Sequence, residues 1–86
     1  TYTKPLLILT DHLSLSCADF FPGLMQESKR GEIFGERTGG AGGVVAQPLE
    51  FPNQLGIKMF VLTSSLIYRL NGDPIENLGI KPDHPY

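Results

Sequence analysis

Ser14-Leu15-Ser16-Cys17-Ala18-Asp19-Phe20-Phe21-Pro22-Gly23-Leu24-Met25-Gln26 decides how the chain is read, because two short apolar runs flank it, Leu6-Leu7-Ile8-Leu9 and Ile33-Phe34. The first run, bounded by Pro5 and by Thr10-Asp11-His12, reads as a strand covered on both faces, the pattern of a parallel sheet between helices. Ser16 then has the place of a helix N-cap. Asp19 stands at the third helical position, where an acid completes the capping signal and suits the positive helix end. The segment 17–26 sets Phe20, Phe21, Leu24 and Met25 on one broad apolar face. Pro22 removes a backbone donor and is expected to kink the helix or distort its first turn. Ser28-Lys29-Arg30-Gly31 ends the helix, with cations at its negative end and a glycine able to take the left-handed conformation. The expected order is strand, helix, strand, an α/β arrangement.

Working outward, Glu32-Ile33-Phe34-Gly35-Glu36 reads as a short strand that leads into Thr38-Gly39-Gly40-Ala41-Gly42-Gly43. The glycines let this loop approach another backbone or a ligand closely. It lacks the Lys-Ser/Thr ending of a phosphate-binding loop, which argues against nucleotide binding. From Val44 the pattern turns to strands over 44–49, 57–63 and 65–70, with a turn at Pro52-Asn53-Gln54 and with Pro48 expected at an edge or bulge. Asn71-Gly72 predicts a two-residue hairpin turn joining Leu66-Ile67-Tyr68-Arg69 to Asp73-Pro74-Ile75-Glu76. The last segment, 79–86, holds too many prolines for a helix and is expected to lie extended.

Composition narrows the function classes. A net charge of −2, with its Lys and Arg scattered, offers no basic patch for nucleic acid or an anionic membrane surface. The apolar runs 6–9 and 59–62 are far shorter than the roughly 20 residues of a membrane span. A single cysteine excludes an internal disulfide, and Cys17 reads as a small packed residue before it reads as a nucleophile. A chain of 86 residues makes one domain at most, and a domain of that size buries only about 60% of its unfolded surface. With no leader and a strand signal already at residues 5–10, it is expected to begin in mid-protein. Exposed apolar strands would then be covered by the rest of the protein or by a second copy, as in a homodimer.

Ser16 is the best-placed nucleophile. It precedes a helix, and the N–H groups of Cys17 and Ala18 could hold an oxyanion there with the help of the helix dipole. The plainer reading, a serine that simply caps its helix, stands beside it. A base within hydrogen-bond reach is also needed. His12 is too close along the chain to be a comfortable partner, His84 lies in the tail, and Lys29, Lys58 and Lys81 carry no positional cue. Glu76 on its own reads as a solvated carboxylate. The sequence implies no cofactor and no metal ligand set.

Two blocks together resemble the tail-specific, or C-terminal processing, serine proteases, the family that includes the tricorn core protease. The first is Ser14-Leu15-Ser16-Cys17-Ala18-Asp19 through Gly35-Glu36-Arg37-Thr38-Gly39-Gly40-Ala41-Gly42-Gly43, similar to the family's serine-rich, acid-ended helix start and its Gly-Glu-x-Thr-x-Gly loop. The second is Leu62-Thr63, Tyr68, Gly72, Ile75 and Gly79-Ile80-Lys81-Pro82-Asp83, similar to its closing Gly-Ile-x-Pro-Asp signature. The resemblance implies a crotonase-like α/β fold, of which residues 1–86 are the C-terminal part of the catalytic domain. It implies catalytic roles for Ser16, as nucleophile, and Glu76, with the Cys17 N–H as one oxyanion donor. Ala41 occupies the place of the activating lysine of the bacterial branch, which rules out a Ser-Lys dyad of that kind. The tricorn-like branch takes its base from a histidine in the upstream part of the same protein. A peptide or protein substrate, an often exported enzyme, and inactivity of these 86 residues alone are further implications. Two alternatives share the fold. One is a non-catalytic module binding a ligand or peptide; the other is an acyl-CoA-handling enzyme that uses backbone amides without a nucleophilic serine.

Overall fold

The computed structural model describes residues 1–46, 49–50, 56 and 59–86. A strand β1 (Leu7–Thr10) is followed by a helix α1 (Cys17–Glu27) and a strand β2 (Glu32–Gly35), in the expected order. Strands β3 (Gly43–Val45), β4 (Leu49–Glu50), β5 (Met59–Phe60) and β6 (Thr63–Leu66) follow, and β7 (His84–Pro85) closes the chain. The expectations for Pro48, Lys58 and the turn at Pro52-Asn53-Gln54 lie outside the described residues. No helix among the described residues is long and apolar enough to cross a membrane.

One sheet has the order β1-β2-β7 and is parallel throughout, with Leu7 opposite Glu32 and Phe34 opposite His84. Pro85 cannot donate to a ladder and sits on an edge strand, where that costs least. The expected parallel pairing of β1 is present, but its two-sided cover is not: Leu9 is 73% exposed. The covering partner that four consecutive aliphatics call for is not supplied by the described residues. A second, two-stranded sheet pairs β3 with β6 antiparallel, with a bulge between Val44 and Val45, and β4 pairs with β5 antiparallel in a third.

Helix α1 packs with Asp19, Pro22 and Gly23 buried, while Phe21 and Leu24 are exposed. The predicted apolar face is thus turned partly outward, and the inward stripe is the small, tight one that lets α1 approach Ile80. Pro22 lies inside a continuous helix whose first turn is tightened, with Ala18 N donating to Leu15 O and Asp19 N to Ser16 O. At the other end Arg30 N donates to Met25 O and Lys29 N to Gln26 O, a Schellman closure. The residue in the left-handed region is Lys29 (φ 54°), not Gly31 as expected. Gly31 answers a different need, since a Cβ there would lie 2.6 Å from Ile8 Cδ1.

The hairpin near residue 72 also differs from its prediction. Arg69 N donates to Asp73 O, Gly72 N to Arg69 O, and Ile75 N to Ile67 O, so the loop holds Leu70, Asn71 and Gly72. It is a three-residue turn with Gly72 at φ 91°, the position where a bulge of this kind needs glycine. Tyr68 and Pro74 form an isolated antiparallel bridge. The core is small: Ile33, Ile75 and Ile80, with Phe20 and Ile67 packed against it. It joins the sheet, the helix and the turn after Ile75, the three parts on which the candidate residues stand.

Candidate functional site

Ser16 is the N-cap residue of α1, exposed, with φ 58° and ψ −117°. Side chains rarely adopt that backbone, and a residue held there costs on the order of 1–3 kcal/mol. The hydroxyl makes no capping hydrogen bond. The expected Ser16–Asp19 capping signal is therefore not realised as a cap. The Ser16 carbonyl starts the helix by accepting from Asp19 N (2.8 Å) and Phe20 N (3.1 Å). The Cys17 N–H, first of the helix, donates to no group among the described residues, and Cys17 is exposed rather than packed.

Asp19 is fully buried, and both its oxygens are used. Gly40 N donates to Oδ1 at 2.8 Å and Ala41 N to Oδ2 at 2.9 Å. The acid read as a helix-end charge is thus the anchor of the glycine loop. The loop is held at a second point by Gly39 N, which donates to Ser14 O (2.9 Å). On its far side Gly40 O accepts from Asn77 N (2.8 Å). A Cβ on Gly42 would press on Glu76 N and lie 2.9 Å from Ile75 C. The close approach expected of these glycines is made to the chain's own turn at residues 75–79.

That turn carries Glu76, half-buried, its Oε2 directed toward Gly43. Its carboxylate makes no hydrogen bond among the described residues. The helix start carrying Ser16 and the turn carrying Glu76 are both tied to the glycine loop, through Asp19 and through Asn77, and Ser16 and Glu76 are not bonded to each other. Thr38, buried, locks the loop to the closing signature: Ile80 N donates to Thr38 Oγ1 (2.7 Å) and Thr38 N to Ile80 O (3.1 Å). Asp83 finishes the clasp by accepting from Ile33 N at 2.8 Å and from Gln26 Nε2 at 2.9 Å. The two sequence blocks are therefore one hydrogen-bonded unit.

Neither histidine reaches Ser16 or Glu76. His12 Nδ1 pairs with Glu36 Oε2 at 2.6 Å, and His12 N donates to the same oxygen. The hydrogen bond and the charge of Glu36 raise the pKa of His12, and His12 in return lowers that of Glu36. His84 Nε2 pairs with Glu32 Oε2 at 2.7 Å. Lys29 and Lys81 make no hydrogen bond to Ser16. No metal-binding group of His, Cys, Asp or Glu occurs among the described residues. An apolar groove of about 580 Å³ starts at Cys17 and runs between Phe21 and Leu24 on one wall and Tyr68 and Leu70 on the other.

Sequence reading missed Asp19 as the loop's anchor, and Thr38 and Glu36 as bonded partners. All three belong to the quoted blocks, but nothing local names a partner 21, 24 or 42 positions away.

The chain matches Peptidase family S41 along residues 1–86. A protein of Chlamydia muridarum (strain MoPn / Nigg) is 48% identical over 81 residues, which cover 94% of this chain and 13% of the relative. A protein of Chlamydia trachomatis serovar D is 47% identical over the same length and with the same coverage. The chain thus spans 13% of the length of these curated relatives. Among solved structures, mature CPAF matches with a TM-score of 0.87 and 45% identity over 98% of this chain and 16% of its own. The photosystem II D1 C-terminal processing protease matches with a TM-score of 0.80 and 27% identity over 95% of this chain and 20% of its own. Within the tail-specific proteases the two sequence blocks resemble the chlamydial protease-like activity factor. With its family pattern spanning the whole length and its fold shared with mature CPAF and with a C-terminal processing protease, the chain belongs to peptidase family S41.

Proposed function

We propose that these residues are the C-terminal part of a serine endopeptidase catalytic domain of crotonase-like fold, and that the intact protein cleaves peptide bonds through an acyl-enzyme on Ser16. The observation that carries this reading is the Ser16 backbone. An exposed, uncapped serine held at φ 58° and ψ −117° on a helix N-terminus presents its Oγ outward at a strained turn, as nucleophilic serines do.

Ser16 Oγ attacks the substrate carbonyl carbon as its proton passes to a histidine from the upstream part of the same protein. The carbonyl oxygen, now an anion, takes a hydrogen bond from the Cys17 N–H, which has no partner among the described residues to give up. Collapse of the tetrahedral intermediate breaks the C–N bond. The histidine returns the proton to the leaving amine, and water releases the acid by the same steps in reverse. Glu76, unengaged by the described residues, orients that histidine. Both histidines of this chain are paired with glutamates, which supports a base from elsewhere in the protein. Alone, these residues are inactive.

In the intact protein a fluorophosphonate probe should label Ser16, located by peptide mapping, and Ser16→Ala should abolish labelling and casein cleavage without unfolding. Casein cleavage that survives in Ser16→Ala overturns the assignment. A second reading, a non-catalytic peptide-binding module, rests on the apolar groove beside Cys17. A folded protein that binds peptide but takes no label would establish it instead.

A further inference from the structure

We infer that Asp19 is a positioning residue, which through the glycine loop holds the helix start carrying Ser16 in register with the turn carrying Glu76. The inference rests on the peptidase reading above and assigns a role that the reading does not use.

A carboxylate with no exposed surface is costly unless its oxygens are satisfied. Asp19 satisfies both with neighbouring amides of one loop, Gly40 N and Ala41 N, and not with a cation or with the end of its own helix. Two parallel hydrogen bonds to consecutive amides fix orientation as well as distance. Gly40 is also the residue whose carbonyl accepts from Asn77 N, next to Glu76. Ser16 and Glu76 are therefore linked by one turn of helix, a carboxylate, one glycine and one backbone hydrogen bond. Gly42, with no room for a Cβ against Glu76 N, sets the second point of that contact. Removing one of the Asp19 bonds frees the loop to shift against the helix, and the shift reaches the Glu76 side without altering Ser16 itself.

Asp19→Asn keeps the shape but turns an amide NH2 toward one of the two N–H donors, so only one bond survives. In the intact protein we expect the fluorophosphonate reaction at Ser16 to show a kinact about 100-fold lower, the scale of a small misalignment. KI should stay within about twofold, because probe binding is not what Asp19 supports. Amide hydrogen exchange at Gly40 and Ala41 should speed up. The deciding measurement is Asp19→Asn placed on Glu76→Gln: if both act through one alignment, the second substitution adds less than about threefold to the loss caused by the first.

Asp19→Asn at wild-type kinact, losses that multiply in full, or unchanged exchange at Gly40 and Ala41 each overturn the inference, and so does wild-type reactivity in Glu76→Gln. If Asp19→Asn does not fold, Asp19→Glu keeps both acceptor oxygens and should retain intermediate reactivity. If neither folds, Asp19 serves the fold and not the alignment, and the inference is overturned. A wild-type protein that neither labels at Ser16 nor cleaves casein overturns the peptidase reading, and this inference with it. An active wild type with Asp19 variants unaffected overturns the inference alone.

Discussion

The clasp around the glycine loop and the antiparallel strands that leave it are built on opposite terms. In the clasp, backbone amides of Ile33, Gly40, Ala41 and Ile80 meet side chains of Asp83, Asp19 and Thr38, over sequence separations of 21 to 50. Along β3 and β6 the bonds are those of a two-stranded ladder, and Val44, Val45 and Leu66 face outward. A two-stranded ladder with bare faces is marginal by itself. The whole is drawn out to 56 × 30 × 23 Å, with a radius of gyration of 16.5 Å, where a compact chain of this length has about 12 Å. Specific order in this molecule is concentrated where the candidate residues stand, and it is achieved with polar bonds more than with a large core.

Three substitutions in the intact protein would break that contrast or sharpen it. The largest effect is expected from Gly42→Ala, whose new methyl would press on Glu76 N with backbone on the far side and nothing flexible to yield. We expect a loss of about 3 kcal/mol in denaturant unfolding, the upper part of the overpacking range, and an unchanged midpoint would mean that the loop and the turn are not in fixed contact. Thr38→Val removes the acceptor of a buried amide, Ile80 N, with little change of volume. It should cost about 2 kcal/mol by the same measurement, and a neutral result would put the strength of the clasp in its apolar core instead.

The smallest effect lies at the exposed rim, in the His12–Glu36 pair. His12 titrates above its ordinary 6.5, so its contribution is fully present below that pH and fades as the pH rises through the raised value. Glu36 titrates below its ordinary 4.5, so its contribution holds above that pH and fades as the pH falls through the lowered value. The pair is therefore intact between those limits. Glu36→Gln should bring the His12 ring back toward its ordinary value, read from its NMR titration. A ring that still titrates high would place another anion beside it. Both groups face solvent, so thermal stability should barely move, in contrast to Thr38→Val.

What could be read from the sequence follows the range of the interactions. The order strand, helix, strand and the place of Ser16 before Cys17 came from runs and signals a few residues long, and these hold. The helix face was misassigned because periodicity marks Phe21 and Leu24 as apolar without saying which partner covers them, while the stripe that does pack contains Asp19, Pro22 and Gly23. Asp19 looked like a cap because its spacing from Ser16 fits one. Only the folded chain shows the loop amides that claim it. Lys29 took the left-handed position expected of Gly31 because the Schellman bonds fix the geometry first, and the glycine was needed against Ile8. The family resemblance reached further than local pattern, since it joined two blocks whose bonding to each other no periodicity encodes.

Under the nucleophilic role proposed for Ser16, its φ of 58° sets two selective demands against each other. Glycine would occupy the same turn with no penalty from a Cβ, so the backbone alone would favour losing the very atom that carries the hydroxyl. Any lineage or design procedure that rewards melting temperature without assaying turnover is therefore drawn toward replacing residue 16, and a thermally improved variant of this protein is to be inspected there first.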